Sequence, residues 1–418
     1  MKHVLISGAG IAGTTLAYWL ACHGFRVTVV ERAAGLRSSG SPVDVRGPAV
    51  EVAERMGVME RLRAAATTAT GMTFVDGSGR RVGGVNTRAL QRAGRSREVE
   101  VTRTDLAAIL YEAGRDSAEY LFGDSMTTLR QDGHGVEVAF GEAAPRRFDL
   151  VIGADGLHSA TRRLAFGPES RFVRHTGLYV ATVPLDGPAD DDRHVVIHNT
   201  PGRMVAVHPV RGRALAAFIF RSPELTGFDH RDLEQHRRIL AGAYAGAGWR
   251  VPELLEQAMA SDDLWLDAVS QVRIDRWHDG RVALLGDAAS SVSLFGDGST
   301  LAMAGAYTLA TELASALAAE PAAAPTAGPA TGPGYGAAAE LASGPAAALE
   351  GAHVRAFARY EAAHRELVGP RQDNVARAAA LMVPASGGGI AVRNLASRLW
   401  PAVAAAGWVR GRLSSTAA

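Results

Sequence analysis

The stretch that most limits how this chain can fold is residues 2–33, where two apolar runs flank a glycine-rich turn and a helical pattern. The first run, residues 4–6, ends abruptly at Ser7-Gly8, which favours a buried strand over a helix. The run Gly8-Ala-Gly10-Ile-Ala-Gly13 then begins a helix, and a second buried strand ends at Glu31. Strand, glycine turn, helix, strand and acid in this order are typical of a dinucleotide-binding unit.

Each glycine has a physical role in such a unit. Gly8 permits the tight turn, Gly10 lets the backbone approach a pyrophosphate, and Gly13 lets helix and strand pack closely. Ile11 and Ala12 begin the helix, whose free N–H groups and dipole bind phosphates. The alternative, a helix that merely follows a glycine turn, leaves the second strand and the acid unexplained.

Glu31 lies 18 residues after Gly13 and can accept hydrogen bonds from a ribose 2′-hydroxyl. A carboxylate there repels a 2′-phosphate, so the residues indicate FAD or NAD and not NADP. We include Arg32, the next residue, among the cofactor-binding candidates.

Length, charge and cysteine content narrow the class of protein. A chain of 418 residues exceeds one ordinary core, so we expect two domains and an appendage. The net charge is +1 and the charged residues are spread along the chain, which indicates no nucleic-acid partner. The single cysteine, Cys22, excludes a disulfide framework, and we interpret it as a small buried residue. Without a signal-peptide pattern or an uncharged apolar run of about 20 residues, we expect a cytoplasmic protein with no membrane segment.

Two later turns repeat the strand-to-glycine pattern. Residues 148–152 run into Gly153-Ala-Asp155-Gly156, and residues 280–285 run into Gly286-Asp287-Ala-Ala. Both turns are expected at the carboxyl edge of the sheet, where open α/β folds bind ligands. Asp287 is placed to bond a ribityl hydroxyl, and a helix over 299–317 directs its N-terminus at a phosphate or at a flavin. Either turn alone is also compatible with an ordinary connection.

Two further segments carry candidate residues. The polar loop 37–48 contains Asp44 and Arg46, which can fold over a bound cofactor; the alternative is a surface connection. Arg103 precedes an amphipathic helix capped by Thr104 or Asp105.

Taken together, these motifs resemble the flavin-dependent aromatic hydroxylases, which are single-component (group A) FAD monooxygenases. Arg103-Thr-Asp-Leu is similar to the family's flavin-contacting arginine, and Ser41-Pro-Val-Asp-Val-Arg46 is similar to a loop of short actinobacterial and tetracycline-inactivating members. The resemblance covers residues 1–317 and, more weakly, 357–361. It implies an α/β fold: a Rossmann-like FAD-binding domain of the glutathione-reductase type, an inserted β-sheet substrate domain and a C-terminal helical segment.

We predict domain boundaries on this basis. The FAD-binding domain takes residues 1–72, 99–166 and 268–319; the substrate domain 73–98 and 167–267; a low-complexity linker 320–349; and a C-terminal helical segment 350–418. Short, evenly spaced strands with turns over 167–270 indicate a sheet. We predict no metal site at His194, His198 and His208, because no carboxylate or cysteine completes one.

The resemblance also implies an activity. NADPH, or NADH, reduces FAD, and a flavin C4a-hydroperoxide transfers one atom of molecular oxygen to an aromatic, polyketide-like or alkene small molecule. The expected partners are this substrate and oxygen, without nucleic acid or membrane, in a monomer or homodimer.

Roles for individual residues come from the resemblance as well. Gly8, Gly10 and Gly13 hold the pyrophosphate, Glu31 the ribose, Asp155 the pyrophosphate region, and Arg103 and Asp287 the flavin side. Arg46, the catalytic candidate, meets NADPH or the isoalloxazine. Gly286 and Gly298 keep the backbone approachable to the flavin.

One departure keeps other functions open. The family places a proline after Gly-Asp-Ala-Ala, whereas this chain has Ser290-Ser-Val-Ser-Leu-Phe-Gly296-Asp-Gly298. That segment shapes the site of oxygen activation, so a non-oxygenating FAD dehydrogenase or reductase is one alternative. A flavin-binding sensor protein is another. A flavin halogenase is disfavoured, because Trp-x-Trp-x-x-Pro is absent.

Overall fold

The computed structural model describes residues 1–36, 40–86, 97–292, 297–318 and 345–398. Several predicted segments lie outside the described residues in whole or in part. These are residues 37–39 of the polar loop, 293–296 of the departing segment, all but the last residues of the low-complexity linker, and the C-terminal tail from 399 onward.

The strands form wherever short β-branched and aliphatic runs alternate with turns. In the described residues they are β1 His3–Ser7, β2 Arg26–Glu31, β3 Pro42–Val45, β4 Gly71–Val75, β5 Arg81–Asn86, β6 Val99–Thr102, β7 Glu119–Phe122, β8 Met126–Gln131, β9 Val136–Phe140, β10 Arg146–Phe148, β11 Leu150–Gly153, β12 Val173–Leu185, β13 His194–Thr200, β14 Arg203–Val210, β15 Arg213–Arg221, β16 Trp265–Val272, β17 His278–Asp279 and β18 Val282–Leu284.

The helices connect these strands and close the chain. They are α1 Ile11–Cys22, α2 Pro48–Arg55, α3 Met59–Ala64, α4 Arg103–Gly114, α5 Ala160–Ala165, α6 Leu233–Ala243, α7 Val251–Ala260, α8 Asp287–Ser290, α9 Asp297–Ala318, α10 Pro345–Met382 and α11 Gly387–Arg398. Helix α10 begins inside the predicted linker, and α11 lies within the predicted C-terminal helical segment.

A six-stranded sheet in the order β17-β18-β11-β1-β2-β7 forms the first layer. Strand β1 is central and pairs in parallel with β2 and β11, and β18 and β7 extend the parallel set. Val4, Leu5 and Ile6 are fully buried, as a strand covered on both faces requires. Because the strands are parallel, their carboxyl ends meet at one edge, which confirms the predicted Rossmann-like architecture.

A seven-stranded sheet in the order β16-β12-β15-β14-β13-β4-β5 forms the second unit. One face packs on α6 and α7 through Leu240, Tyr244 and Leu254. The opposite face carries aliphatic side chains and meets the end of α10 at Ala379 and Val383. This sheet and the C-terminal helices confirm the predicted inserted β-sheet domain and helical segment.

Two smaller observations complete the fold. No single helix among the described residues is long and apolar enough to cross a membrane, although the pair Gly351–Met382 and Gly387–Arg398, bent by 97°, reaches the threshold together. Cys22 is exposed, so our interpretation of it as a buried residue was wrong. It is the last residue of α1, where the helix leaves the core.

Candidate functional site

The first glycine turn is held by close backbone contacts at the carboxyl end of β1. Gly8 has φ of 103°, and a Cβ at this position would lie 2.5 Å from the carbonyl oxygen of Ala154. A Cβ at Gly13 would lie 1.9 Å from the carbonyl oxygen of Gly8. Both positions therefore need glycine for contacts made within the protein itself.

Gly10 differs, because the protein leaves open space beside it. A Cβ there would meet no atom of the described residues within 4 Å, and its φ of −76° is allowed for any residue. Gly10 caps α1 without a side-chain hydrogen bond, so the N–H groups that begin with Ile11 and Ala12 have no such cap. An uncapped helix N-terminus beside free space is suited to a phosphate group.

Glu31 lies beside this turn at the end of β2. Its carboxylate accepts hydrogen bonds from the backbone N–H of Ala9 and of Ala33, each at 2.9 Å. A carboxylate has about four lone-pair positions, so acceptor capacity remains for a ribose hydroxyl. Arg32 is exposed beside it. Besides its predicted role in ribose binding, Glu31 therefore also stabilises the glycine turn.

Asp155 faces inward and fixes the second turn. Its carboxylate accepts hydrogen bonds from the hydroxyls of Ser7 at 3.2 Å, Ser159 at 2.5 Å and Thr161 at 2.9 Å, and from the Thr161 N–H at 2.9 Å. These bonds tie the turn after β11 to the end of β1. Asp155 therefore positions the backbone around Gly8.

The third turn brings Asp287 to the same edge. Gly286 has φ of 62°, and a Cβ there would lie 3.0 Å from the Cβ of Ala12, so the turn packs on the start of α1. The partly exposed Asp287 side chain has no hydrogen-bond partner among the described residues. Burial raises the pKa of this carboxyl, although Arg103 acts in the opposite direction. A Cβ at Gly298 would lie 3.8 Å from Asp287 Oδ1, so both predicted residues line one space.

The ribbon of β3 and β6 carries Arg103 toward Asp287. The Arg103 N–H donates to the carbonyl oxygen of Ser41 at 2.9 Å, and the Thr102 side chain caps α4 by accepting from the Asp105 N–H. The Arg103 side chain is exposed, and its charge acts on Asp287. A cation and a carboxylate without a hydrogen-bond partner can together bind a polar ligand that carries both donors and acceptors.

Arg46 is fixed by ion pairs at the start of α9. Its guanidinium donates to Asp297 Oδ1 at 2.6 and 3.1 Å and lies 3.4 Å from Asp44 Oδ2. Burial opposes the charged form, but the bonds to Asp297 and the charge of Asp44 raise the pKa of Arg46 above its ordinary value. Asp297 also lies 3.6 Å from Arg371. Asp297 was not among the predicted site residues, because only the adjacent glycines carried a recognisable pattern.

His158 joins the second turn to the seven-stranded sheet. Its ring nitrogens lie 3.0 Å from Glu169 and 3.2 Å from Asp267 on β16, and its ring stacks on His230 with centroids 3.8 Å apart. Burial favours the neutral form, but the hydrogen bonds to the two carboxylates raise the pKa of His158 to about 9. His158 was not predicted as a site residue, because its two carboxylate partners are distant in the chain.

The three histidines considered as metal ligands, His194, His198 and His208, do not converge. His194 pairs with Asp191, whereas His198 bonds the Val75 carbonyl and packs beside Trp249. His198 and His208 lie on opposite faces of the sheet. Among the residues that the structure describes, no group of three or more His, Cys, Asp or Glu side chains is arranged to hold a metal ion.

Comparison with known families and sequences gives consistent matches. The model of a family described as FAD binding domain matches residues 1–326. The Mycobacterium tuberculosis protein Rv1260, itself uncharacterized, is 44% identical over 317 residues, which cover 75% of this chain and 85% of that protein. The FAD-dependent monooxygenase asL4 of Sarocladium schorii is 34% identical over 322 residues, which cover 74% of this chain and 75% of the relative.

A solved structure is similar over almost the whole length. The tetracycline destructase Tet(51) superposes with a TM-score of 0.76 at 28% identity, over 95% of this chain and 96% of that one.

Proposed function

Because the chain belongs to the family of flavin-dependent monooxygenases built on this FAD-binding domain, we propose that it is an NAD(P)H-consuming oxygenase. It inserts one atom of molecular oxygen into an aromatic, polyketide-like or alkene small molecule. We further propose that it works in the cytoplasm as a monomer or homodimer without a nucleic-acid partner.

The observation that carries the proposal is the convergence of three turns at one sheet edge. Gly10 leaves open space at an uncapped helix N-terminus, and Asp287 presents a carboxylate without a hydrogen-bond partner among the described residues. FAD fits both features, since its pyrophosphate is an anion and its ribityl chain carries hydroxyl donors. Gly8, Gly10, Gly13 and Glu31 would hold the adenosine and phosphate part, and Arg103 and Asp287 the flavin part.

Bound FAD would supply the two-electron redox chemistry and the reaction with oxygen. The protein's own residues would bind and orient the cofactor and the substrate, and they would exclude water from the site. We propose that Arg46, held by Asp44 and Asp297, places a fixed positive charge beside the flavin or the nicotinamide nucleotide. Arg32, exposed at the end of β2, adds positive charge on the nucleotide side.

The apolar face of the seven-stranded sheet and one relative support the proposed substrate class. Val180 and Ile219 are apolar side chains of that face, which suits an apolar ring system. Tet(51) is named a tetracycline destructase, and tetracycline is a polycyclic polyketide. Both points favour a substrate with several rings.

A non-oxygenating FAD oxidoreductase is the second candidate. It is favoured by the segment Ser290–Gly298, which lacks the proline usual in the family. Flavin colour and NADPH oxidation do not distinguish the two candidates, because both enzymes would show them. The two candidates differ in whether oxygen is inserted into the product.

The experiment starts from the purified protein and its flavin spectrum. NADPH and NADH oxidation is then measured with tetracycline and with phenolic compounds, with and without oxygen, and products are analysed after reaction under ¹⁸O₂. The proposal expects bound FAD and a product carrying one ¹⁸O atom. Reduction of an organic acceptor without ¹⁸O incorporation would instead support the second candidate, and a colourless protein that does not take up FAD would reject both.

A further inference from the structure

The face of the seven-stranded sheet that does not contact α6 and α7 carries mainly apolar side chains; we call it the roof face. Its buried side chains include Phe74, Val180, Ile197, Met204, Ala217 and Ile219. Polar side chains interrupt it at few positions. One of them, Asn199, is satisfied by the carbonyl oxygens of Arg203 and Met382 and by Arg393.

His208 is a polar residue of the roof face, and it lies near the segment that leads to Arg46. Strand β14 places Val205 and Val207 against the helices and Met204 and Ala206 on the roof face, so alternation puts His208 on the roof face as well. His208 pairs in register with Leu215 of β15. The Leu215 side chain lies 3.7 Å from where a Cβ of Gly40 would be, next to the segment that leads to Arg46.

The hydrogen-bonding capacity of His208 is unused. Its side chain is partly exposed and has no hydrogen-bond or ion-pair partner among the described residues. Burial alone lowers the pKa of His208 to about 4, so the imidazole is neutral at physiological pH and keeps one ring nitrogen as an acceptor. A ligand hydroxyl can therefore donate to this ring nitrogen in place of water.

A second polar group of the same face is also unsatisfied. Thr182 lies on β12 in alternation with Leu178 and Val180, and its buried hydroxyl has no hydrogen-bond partner among the described residues. Strand spacing and rise place the two side chains about 12 Å apart, a distance longer than a single aromatic ring. The polar features of the roof face therefore suit a ligand with more than one ring.

We propose that His208 determines substrate specificity by accepting a hydrogen bond from a hydroxyl group of an otherwise apolar, multi-ring substrate. This inference rests on the proposed function for identifying the ligand as the substrate. It assigns to a roof-face histidine the recognition of a phenol or an enol. Each of the three other histidines of the sheet has a partner: His175 bonds the Ser222 carbonyl, His194 bonds Asp191, and His198 bonds the Val75 carbonyl.

The test uses calorimetric titration of the FAD-loaded protein with two probes, 2-naphthol and 2-methoxynaphthalene. The ether has the same rings but no hydroxyl donor. Wild type is expected to bind 2-naphthol about 3- to 10-fold more tightly than the ether, as one neutral hydrogen bond allows. His208→Phe should remove this preference and keep affinity for the ether, and His208→Gln, which retains an acceptor, should restore part of it. His194→Gln, a change at a histidine with its own partner, should leave both affinities unchanged.

Several outcomes would overturn the proposal. They are an equal affinity of wild type for the two probes, failure of wild type to bind 2-naphthol, and a hydroxyl preference that survives in His208→Phe. The flavin content of each variant is read from its absorbance spectrum. A protein without flavin shows failure of the proposed function, whereas a flavin-loaded protein without the hydroxyl preference shows failure of the His208 assignment alone.

Discussion

Replacing Gly10 with alanine should weaken FAD binding without weakening the fold. The added methyl would meet no atom within 4 Å in the part of the chain that the structure describes, and the φ of −76° suits alanine. Glycine-to-alanine changes at compatible positions stabilise proteins by about 0.4–1 kcal/mol through the unfolded state. If the open space receives a phosphate, the methyl overpacks it at a cost of about 1–3 kcal/mol, or roughly 5- to 150-fold in Kd.

Gly13 provides the contrasting substitution three residues away. Its Cβ would lie 1.9 Å from the Gly8 carbonyl oxygen and 3.3 Å from Ile6 Cγ2, so backbone must move. Gly13→Ala should therefore lower the free energy of unfolding of the FAD-free protein by about 3 kcal/mol or more. Gly242→Ala, at an exposed position of α6 where a Cβ also meets nothing within 4 Å, serves as the matched control.

The assay has two readouts for each variant. Thermal and urea unfolding of FAD-free protein report the fold, and titration with FAD, followed by quenching of flavin fluorescence, reports Kd. Gly10→Ala should raise Kd without lowering the free energy of unfolding. Gly13→Ala should raise Kd and lower the free energy of unfolding, and Gly242→Ala should leave Kd and cooperativity unchanged. Wild-type FAD affinity in Gly10→Ala would refute the idea that this space is reserved for a phosphate. A normally stable Gly13→Ala would refute the packing argument.

Three further changes test the rest of the site. Asp287→Asn should weaken FAD binding by about 1–3 kcal/mol. The FAD-free variant should be no less stable at pH 7, because a raised pKa means that folding disfavours the carboxylate form of Asp287. The control variant Asp149→Asn, at the amino end of β11, should leave the Kd for FAD unchanged. Arg46→Ala should slow flavin reduction by NADPH about tenfold or more in stopped-flow measurements, and an unchanged rate would make Arg46 purely structural. His158→Asn should cost up to about 3 kcal/mol of unfolding free energy near pH 6.5. This difference should shrink as the pH rises through about 9, because a raised histidine pKa stabilises only while the ring is protonated; a gap independent of pH would contradict the assignment.

The partners of His158 could not be predicted from the sequence. The position of His158 after Gly153-Ala-Asp155-Gly156 can be predicted from the sequence, because the turn is formed by neighbouring residues of the chain. Asp267 lies on β16 and Glu169 in the short helical turn Glu169–Arg171, and neither neighbourhood has a motif. Asp267 lies 109 residues from His158 in the chain, so only tertiary packing brings it to the ring.

Arg46 makes a similar point about a residue that the sequence did single out. The polar loop predicts a cation near the cofactor, and the prediction of its catalytic role stays a prediction. Its partners, Asp44 and Asp297, lie on different elements, and the pairing depends on how β3 meets the start of α9. Ser299 and Thr300 set this contact by donating to the Asp44 carbonyl oxygen.

The sequence by itself determined the α/β fold class, the glycine turns, the acid at the end of β2 and the flavin family, because each depends on residues within about one strand–turn–helix unit. The tertiary structure alone decided that Gly8 and Gly13 are needed for protein contacts whereas Gly10 faces open space. It alone decided that Asp155 is internally bonded whereas Asp287 has no hydrogen-bond partner among the described residues, and that His208 lies on the roof face. The physical reason is that hydrogen-bond satisfaction and free space depend on atoms from distant segments, whose meeting is set by sheet register and helix packing.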